Sequence, residues 1–273
     1  TRRVFAGSAA RGAPMKLRGK TAVVTGASRG LGRAIALAMS KEGARLTIMS
    51  RTLNELKFTA HKIIEQGGEC LVFQGDVSDP NSVASMARQT MERFSRVDVL
   101  VNNAAVIGPT RFLEDADFEA WEKTIDINLN GPFFCARAVV RSMAQQGGGK
   151  IISISSGLGQ MPFSRFCAYS VSKAGIIQLT RSLSEELKGV NVQVNAIDPG
   201  VMDTSMQEQI RALGPSVLRK DIYDHFLEYK EKGYLKDPAE VAALAVFLAS
   251  NEADHLSGYN GTLSDYADLG WKP

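Results

Sequence analysis

The chain has 273 residues, of which 44% are hydrophobic and 22% charged, and it carries a formal net charge of +3. That is enough chain to bury a core unaided, in a composition neither fibrous nor disordered. So small a positive excess, with no dense Lys/Arg cluster, excludes nucleic acid as the expected partner, and no apolar run approaches the ~20 residues of a membrane span.

Thr1 to Pro14 comes first, with three arginines, many small residues and no acid. It resembles an organellar transit remnant in composition. Met15, with its Lys-rich lead into a strand, looks like a natural start, so a non-native leader fits equally well. From Lys20 onward, short β-branched runs alternate with longer amphipathic stretches. Strands are predicted at Thr21–Thr25, Leu46–Ser50, Cys70–Gln74, Val97–Val101, Lys150–Ser155 and Asn191–Ile197. Helices are predicted between them at Leu31–Lys41, Leu53–Gln66, Pro80–Phe94, Trp121–Ala144 and Ser170–Leu187. Strands that are apolar throughout, alternating with helices, imply a parallel sheet covered on both faces. No repeat and no linker divides residues 15–273, so a single α/β domain is expected. The rhythm breaks only at about 201–236, a polar stretch after a strand's carboxyl end, where such sheets place a substrate lid.

Three cysteines, Cys70, Cys135 and Cys167, stand far apart with no CxxC or Cys/His pairing. They signal neither a disulfide framework nor a metal site, and a cytoplasmic setting is expected.

The run Thr25-Gly26-Ala27-Ser28-Arg29-Gly30-Leu31-Gly32 joins the first strand to the first helix. Gly26 permits a tight exit, and Gly30 and Gly32 let the backbone approach a pyrophosphate at a helix N-terminus. A glycine-rich turn alone is weak evidence, but its strand-to-helix context makes it a Rossmann-type signal. The second strand ends in Ser50 and Arg51, with Arg29 across in the glycine turn. An NAD site usually carries Asp or Glu there; two guanidinium groups and no carboxylate suit a 2′-phosphate, hence NADP(H).

Tyr169 and Lys173 stand at i and i+4 on one helical face. A free phenol titrates near ~10, and an ammonium one turn away should draw it toward the useful range. Ser156 or Ser155, at the end of the preceding strand, can hydrogen-bond a substrate carbonyl. Asn128, in the middle of a predicted helix, can hold a proton-relaying water or bond a neighbouring helix.

Together, Thr25-Gly26-x3-Gly30-x-Gly32, Asp76, Asn102-Asn103-Ala104-Ala105, Asn128, Ser156, Tyr169-x3-Lys173 and Pro199-Gly200 resemble the short-chain dehydrogenase/reductase family in order and spacing. The likeness runs from about Leu17 to Ser257. It implies a single doubly wound Rossmann-type sheet, and a catalytic tetrad of Asn128, Ser156, Tyr169 and Lys173, with Ser156 rather than Ser155 as the serine. It implies further that Gly26, Ser28, Arg29, Gly30, Leu31, Gly32 and Arg51 bind the nucleotide's phosphates. Asp76 and Val77 would flank the adenine, with Asn103 near its ribose. Tyr169 and Lys173 would meet the nicotinamide ribose, and Pro199, Gly200, Val201 and Thr204 would hold the nicotinamide. Asn102 would tie neighbouring strands together.

The expected chemistry is hydride transfer between NADP(H) and a small carbonyl or alcohol substrate. The lid resembles the sepiapterin and benzil reductase branch. A 3-oxoacyl-(acyl-carrier-protein) reductase, or an inactive nucleotide sensor or scaffold, is the alternative. The resemblance implies a homodimer or homotetramer, although Ser257 to Asp265 departs from the family's usual Val-Asp-Gly-Gly ending.

Overall fold

A computed structural model describes residues 15–272; the segment Thr1 to Pro14 lies outside the described residues. The first half runs β1 (Thr21–Thr25), α1 (Gly30–Lys41), β2 (Arg45–Ser50), α2 (Leu53–Glu65), β3 (Cys70–Gln74), α3 (Pro80–Phe94) and β4 (Val99–Asn102). Next come α4 (Phe118–Ile125), α5 (Gly131–Gln145), β5 (Gly149–Ile154), α6 (Cys167–Glu186) and β6 (Val192–Ile197). The chain then forms α7 (Ser205–Ala212), α8 (Gly214–Leu218), α9 (Lys220–Glu231), α10 (Pro238–Ala249), β7 (Asn260–Gly261) and α11 (Leu263–Asp268).

The strands make one seven-stranded sheet in the order β3-β2-β1-β4-β5-β6-β7, and every neighbouring pair is parallel. Why the strands read as unbroken apolar runs follows from their two buried faces. Ala22, Val24, Val99, Val101, Ile152 and Ile154 turn toward α1 and α10 in one core. Val23, Leu100 and Ile151 alternate with them and meet Val83, Met86, Val139 and Met143 of α3 and α5 in the other. Alternation along a strand sends successive side chains to opposite faces, so both sets must be apolar.

The long helix predicted over Trp121–Ala144 is interrupted. A π turn, Asp126–Asn130, separates α4 from α5, and the Gly131 N–H reaches back to the Asp126 carbonyl. Pro132 explains the break, since it has no N–H to offer the carbonyl of Asn128 four residues earlier. Strand β5 also ends sooner than predicted, at Ile154, which leaves Ser155 and Ser156 beyond the ladder. The atypical C-terminal segment still adds a strand, β7, but only two residues of it.

The stretch predicted as a lid folds as α7, α8 and α9. Its two ends are tied: Lys236 N–H donates to the Val201 carbonyl at 2.9 Å and Asp203 N–H to the Lys236 carbonyl at 3.1 Å. Ile210, Leu218, Ile222 and Phe226 of this segment pack on Phe166 and Tyr169 at the start of α6, forming a small core apart from the two sheet faces. No helix among the described residues is long and apolar enough to cross a membrane.

Candidate active site

The carboxyl ends of β1, β4, β5 and β6 open beneath α7 to α9 into a cavity of about 670 Å³. At the β1 end lies the glycine turn. Gly26 takes φ +64°, and a Cβ there would fall 2.8 Å from Asn103 Nδ2. Gly32 has still less room, because its Cβ would sit 2.3 Å from the Gly26 carbonyl oxygen. Helix α1 therefore presses directly on the turn, as only glycine allows. Arg29 precedes α1 without providing a side-chain cap, so the first N–H groups of the helix are left for a ligand. Ser28, Arg29, Gly30, Leu31 and Gly32 all line the cavity.

Asn103 has a structural task in this turn. Its Nδ2 donates to the Thr25 carbonyl at 2.9 Å and to that of Gly26 at 3.3 Å, clamping β1 to β4. Thr25 Oγ1 accepts the N–H groups of Asn103 and Ala104 at 3.0 and 3.1 Å. Asn102 is buried and donates weakly to the Pro132 carbonyl at 3.5 Å, a tie to α5 rather than to a neighbouring strand. Beside the turn, Arg29 and Arg51 are both exposed and line the same end of the cavity as Asp76 and Val77. Arg51 Nη1 stands 3.7 Å from an oxygen of Asp76, and the other Asp76 oxygen accepts from Ser78 N and Oγ at 3.0 and 2.7 Å.

At the opposite end Ser156, Tyr169 and Lys173 converge on the cavity with Pro199, Gly200, Val201 and Thr204. Ser155 also touches the lining but donates its hydroxyl to Asn260 Oδ1 on β7. Ser156 Oγ accepts the Leu158 N–H at 3.2 Å and keeps its own proton for another acceptor.

Asn128 lies beneath the cavity. Its Nδ2 donates to the Val106 carbonyl at 2.8 Å and to Ser172 Oγ at 3.1 Å, while its Oδ1 accepts from Val106 N at 2.8 Å. Both donors are spent, so the relay water expected at this residue has no amide donor to hold it. The side chain instead fixes the loop after β4 and, through Ser172, the helix that carries Tyr169.

The electrostatics depart from expectation. Burial pushes the Tyr169 phenol up to about 12; the neighbouring Ser156 hydroxyl works against this and the Asp198 carboxylate adds to it. Burial likewise brings Lys173 down to about 8, with Asp198 opposing. The expected draw of Lys173 on the phenol is absent in the chain alone. Its Nζ donates to the Ile154 carbonyl at 2.6 Å, and it sits 5.5 Å from the centre of the Tyr169 ring. Desolvation of the phenol therefore wins.

A stability test follows. A lysine held near 8 when folded, against an ordinary value of 10.5, binds fewer protons folded than unfolded across that interval. Its burden on the fold is full below pH 8 and is relieved as pH climbs. The stability difference between wild type and Lys173→Met should move toward wild type by roughly 1–3 kcal/mol between pH 8 and 10. Urea titrations at several pH values check this, and a pH-independent difference would refute it. Measurements stop at pH 10 because the raised Tyr169 begins to cost stability above that.

Asp198 carries a charge that was not singled out from the sequence, although it directly precedes Pro199-Gly200 at the end of β6. It is buried, lines the cavity, and accepts the Gly200 N–H at 3.0 Å. The substrate end was also hidden. Met202, Met206 and Phe226 of the segment 201–236 line the cavity. Tyr223 only packs against the small core, and Tyr229 and Tyr234 meet edge to face with ring centres 6.1 Å apart. Phe163, Phe166, Gln207, Ile210 and His225 complete the wall; no local pattern marks them, because only the folded lid brings them together. Among the described residues no group of His, Cys, Asp and Glu could hold a metal ion.

Known proteins resemble this chain in sequence and fold. Residues 20–213 fit the family model described as short chain dehydrogenase. The chain is 35% identical over 238 residues to a 3-oxoacyl-[acyl-carrier-protein] reductase of Synechocystis sp., covering 87% of this chain and 92% of that protein. Among solved structures, levodione reductase superposes with a TM-score of 0.84 at 27% identity, over 93% of this chain and 100% of that one. Carveol dehydrogenase of Mycobacterium avium, in complex with NAD, gives 0.82 at 26% identity, over 90% and 96% of the two chains.

Proposed function

The chain belongs to the short-chain dehydrogenase/reductase family and is an oxidoreductase, and from that premise we propose that it interconverts a carbonyl and an alcohol using NADP(H). The observation carrying this reading is the convergence of Ser156, Tyr169 and Lys173 on the cavity that the glycine turn also lines. The residues fit the cofactor. The uncapped start of α1 and the methyl-free surface of Gly26 and Gly32 suit a pyrophosphate. Asp76 and Val77 suit the adenine end, and Pro199, Gly200, Val201 and Thr204 the nicotinamide end. When bound, the cofactor supplies the hydride.

The chain's own residues handle the oxygen. Ser156 and Tyr169 hold the carbonyl oxygen by hydrogen bonds as it gains negative charge. Tyr169 delivers its proton to that oxygen, and in the reverse direction takes one. A phenol near 12 is a weak acid, so the step needs Lys173 to turn from the Ile154 carbonyl toward the phenol and the ribose. Asn128 positions α6 for this through Ser172. All four positions of the tetrad are filled, which speaks against an inactive sensor or scaffold.

Two exposed guanidinium groups at the adenine end, Arg29 and Arg51, favour a 2′-phosphate. The competing reading is NAD(H). It draws on Arg51 already facing Asp76 at 3.7 Å and on the NAD bound to carveol dehydrogenase. For the substrate, an aromatic and aliphatic wall supports a neutral carbonyl compound, as in the sepiapterin and benzil reductase branch; a 3-oxoacyl reductase is the alternative, supported by the Synechocystis relative. The segment 201–236 acts as substrate lid in this reading. Pairing of copies through α5 and α6, where Phe133 and Val171 are exposed, belongs to it as well.

A panel of ketones, diketones and 3-oxoacyl thioesters, assayed with NADPH and NADH side by side, tests the proposal. Faster oxidation of NADPH with diketones is the expected result. Equal rates with NADH would sink the cofactor assignment, and no turnover of any carbonyl would sink the activity.

A further inference from the structure

Helix α7 leaves the nicotinamide end of the cavity and turns one face inward. Gln207 and Ile210, at i and i+3, are its buried residues, and Met206 packs with Ile210 into the small core under the lid. A glutamine is out of place there. It is 9% exposed on the same helical face as Ile210, and leucine would satisfy both the helix and the packing. Its side-chain oxygen is fully buried and has no hydrogen-bond partner, and the residue lines the cavity. Burying an unpaired amide costs more than a typical hydrogen bond returns. Such an amide suits a ligand that supplies the missing partner.

The rest of this wall limits what the ligand is. Between Val201 and Lys236 the chain contributes no Lys, Arg, Asp or Glu to the lining, and His225 is its one titratable side chain there. Phe163, Phe166, Phe226 and Ile210 supply flat and aliphatic surface. A phosphate or carboxylate on the substrate would meet no Lys or Arg from this segment.

Resting on the proposed reductase activity, we infer that Gln207 is a specificity-determining residue: its amide oxygen accepts a hydrogen bond from a second polar group, a hydroxyl, on a neutral, ring-bearing carbonyl substrate. Ser156 and Tyr169 take the reacting oxygen and Gln207 takes the other. The apolar wall holds the ring between them. A site built to pair a substrate hydroxyl discriminates strongly against an analogue that lacks it, because the buried amide is then left unpaired.

The test compares the full-length wild-type protein with Gln207→Met, which removes the amide at similar length. The probes are 2-, 3- and 4-hydroxycyclohexanone beside their methyl counterparts, each with NADPH. Wild type is expected to prefer at least one hydroxylated probe. The variant should lose about tenfold in kcat/KM on that probe and stay within about twofold on its methyl partner. The KM for NADPH should not move, and the thermal midpoint should stay level or rise, since a buried unpaired amide has been replaced by an apolar group.

Equal loss on both members of a pair would overturn the inference, as would a higher KM for NADPH, which would place the amide on the cofactor. A lower thermal midpoint would also overturn it, by giving the amide a structural bond. If wild type turned over none of the probes, the reductase reading would fail on its own, and the stability comparison would still decide whether the amide is held in reserve.

Discussion

Replacing Tyr169 by phenylalanine is expected to lower carbonyl reduction by about two to four orders of magnitude, the usual range for loss of a positioned general acid. The change removes one oxygen and leaves the ring. That ring packs with Phe166, Ile210 and Phe226 under the lid, so the fold and the cavity wall should survive. Because the phenol is raised by burial, it is fully protonated at neutral pH and ready to donate. Single-turnover rates with saturating NADPH, together with a thermal midpoint, separate lost chemistry from lost structure. Activity within tenfold of wild type on diverse ketones would remove Tyr169 from the mechanism.

The second large effect concerns the cofactor. Arg29→Ala combined with Arg51→Ala should raise the KM for NADPH by about 10- to 100-fold while leaving that for NADH nearly unchanged. Charge-assisted bonds to phosphate are strong, but both arginines are exposed and salt screens them, which keeps the expectation below the full sum. Removing Arg51 also uncovers Asp76, 3.7 Å away, leaving a carboxylate free to repel a phosphate. The effect should therefore shrink as ionic strength rises. A double variant that loses both cofactors alike would show that the arginines support the turn rather than read the 2′ position.

How much of this was legible beforehand varied with the physics behind each residue. The sheet was legible because β1, β2, β4, β5 and β6 are buried on both faces, which leaves largely apolar runs in the sequence, while β3 at the sheet edge is only partly buried. The glycine turn was legible because Gly26 and Gly32 answer a steric demand that no other residue meets. The i, i+4 pairing of Tyr169 and Lys173 was legible as geometry. Its electrostatics were not, since burial and the direction taken by the Lys173 ammonium depend on the folded site.

The break in the predicted Trp121–Ala144 helix had a visible cause in Pro132, which the apolar periodicity obscured. Asn128 could be placed near the site, but its partners, Val106 and Ser172, come from other elements. The lid was legible only as an interruption. Gln207, Phe163, Phe166 and His225 meet at one wall through tertiary packing, and nothing in their neighbouring residues announces it.

The backbone bonds joining Val201, Asp203 and Lys236 give the lid a property of their own. With its two ends already held together, the loop has paid most of its closure entropy at the neck, and that cost grows only slowly with the number of residues enclosed. The segment between them is thus a cassette whose length can drift at small thermodynamic expense, provided Ile210, Leu218, Ile222 and Phe226 keep their packing. The glycine turn and the central strands β1, β4 and β5 have no such freedom, packed as they are on both sides. One rigid nucleotide platform can in this way serve a succession of different pockets, with divergence confined to what lies beyond the neck.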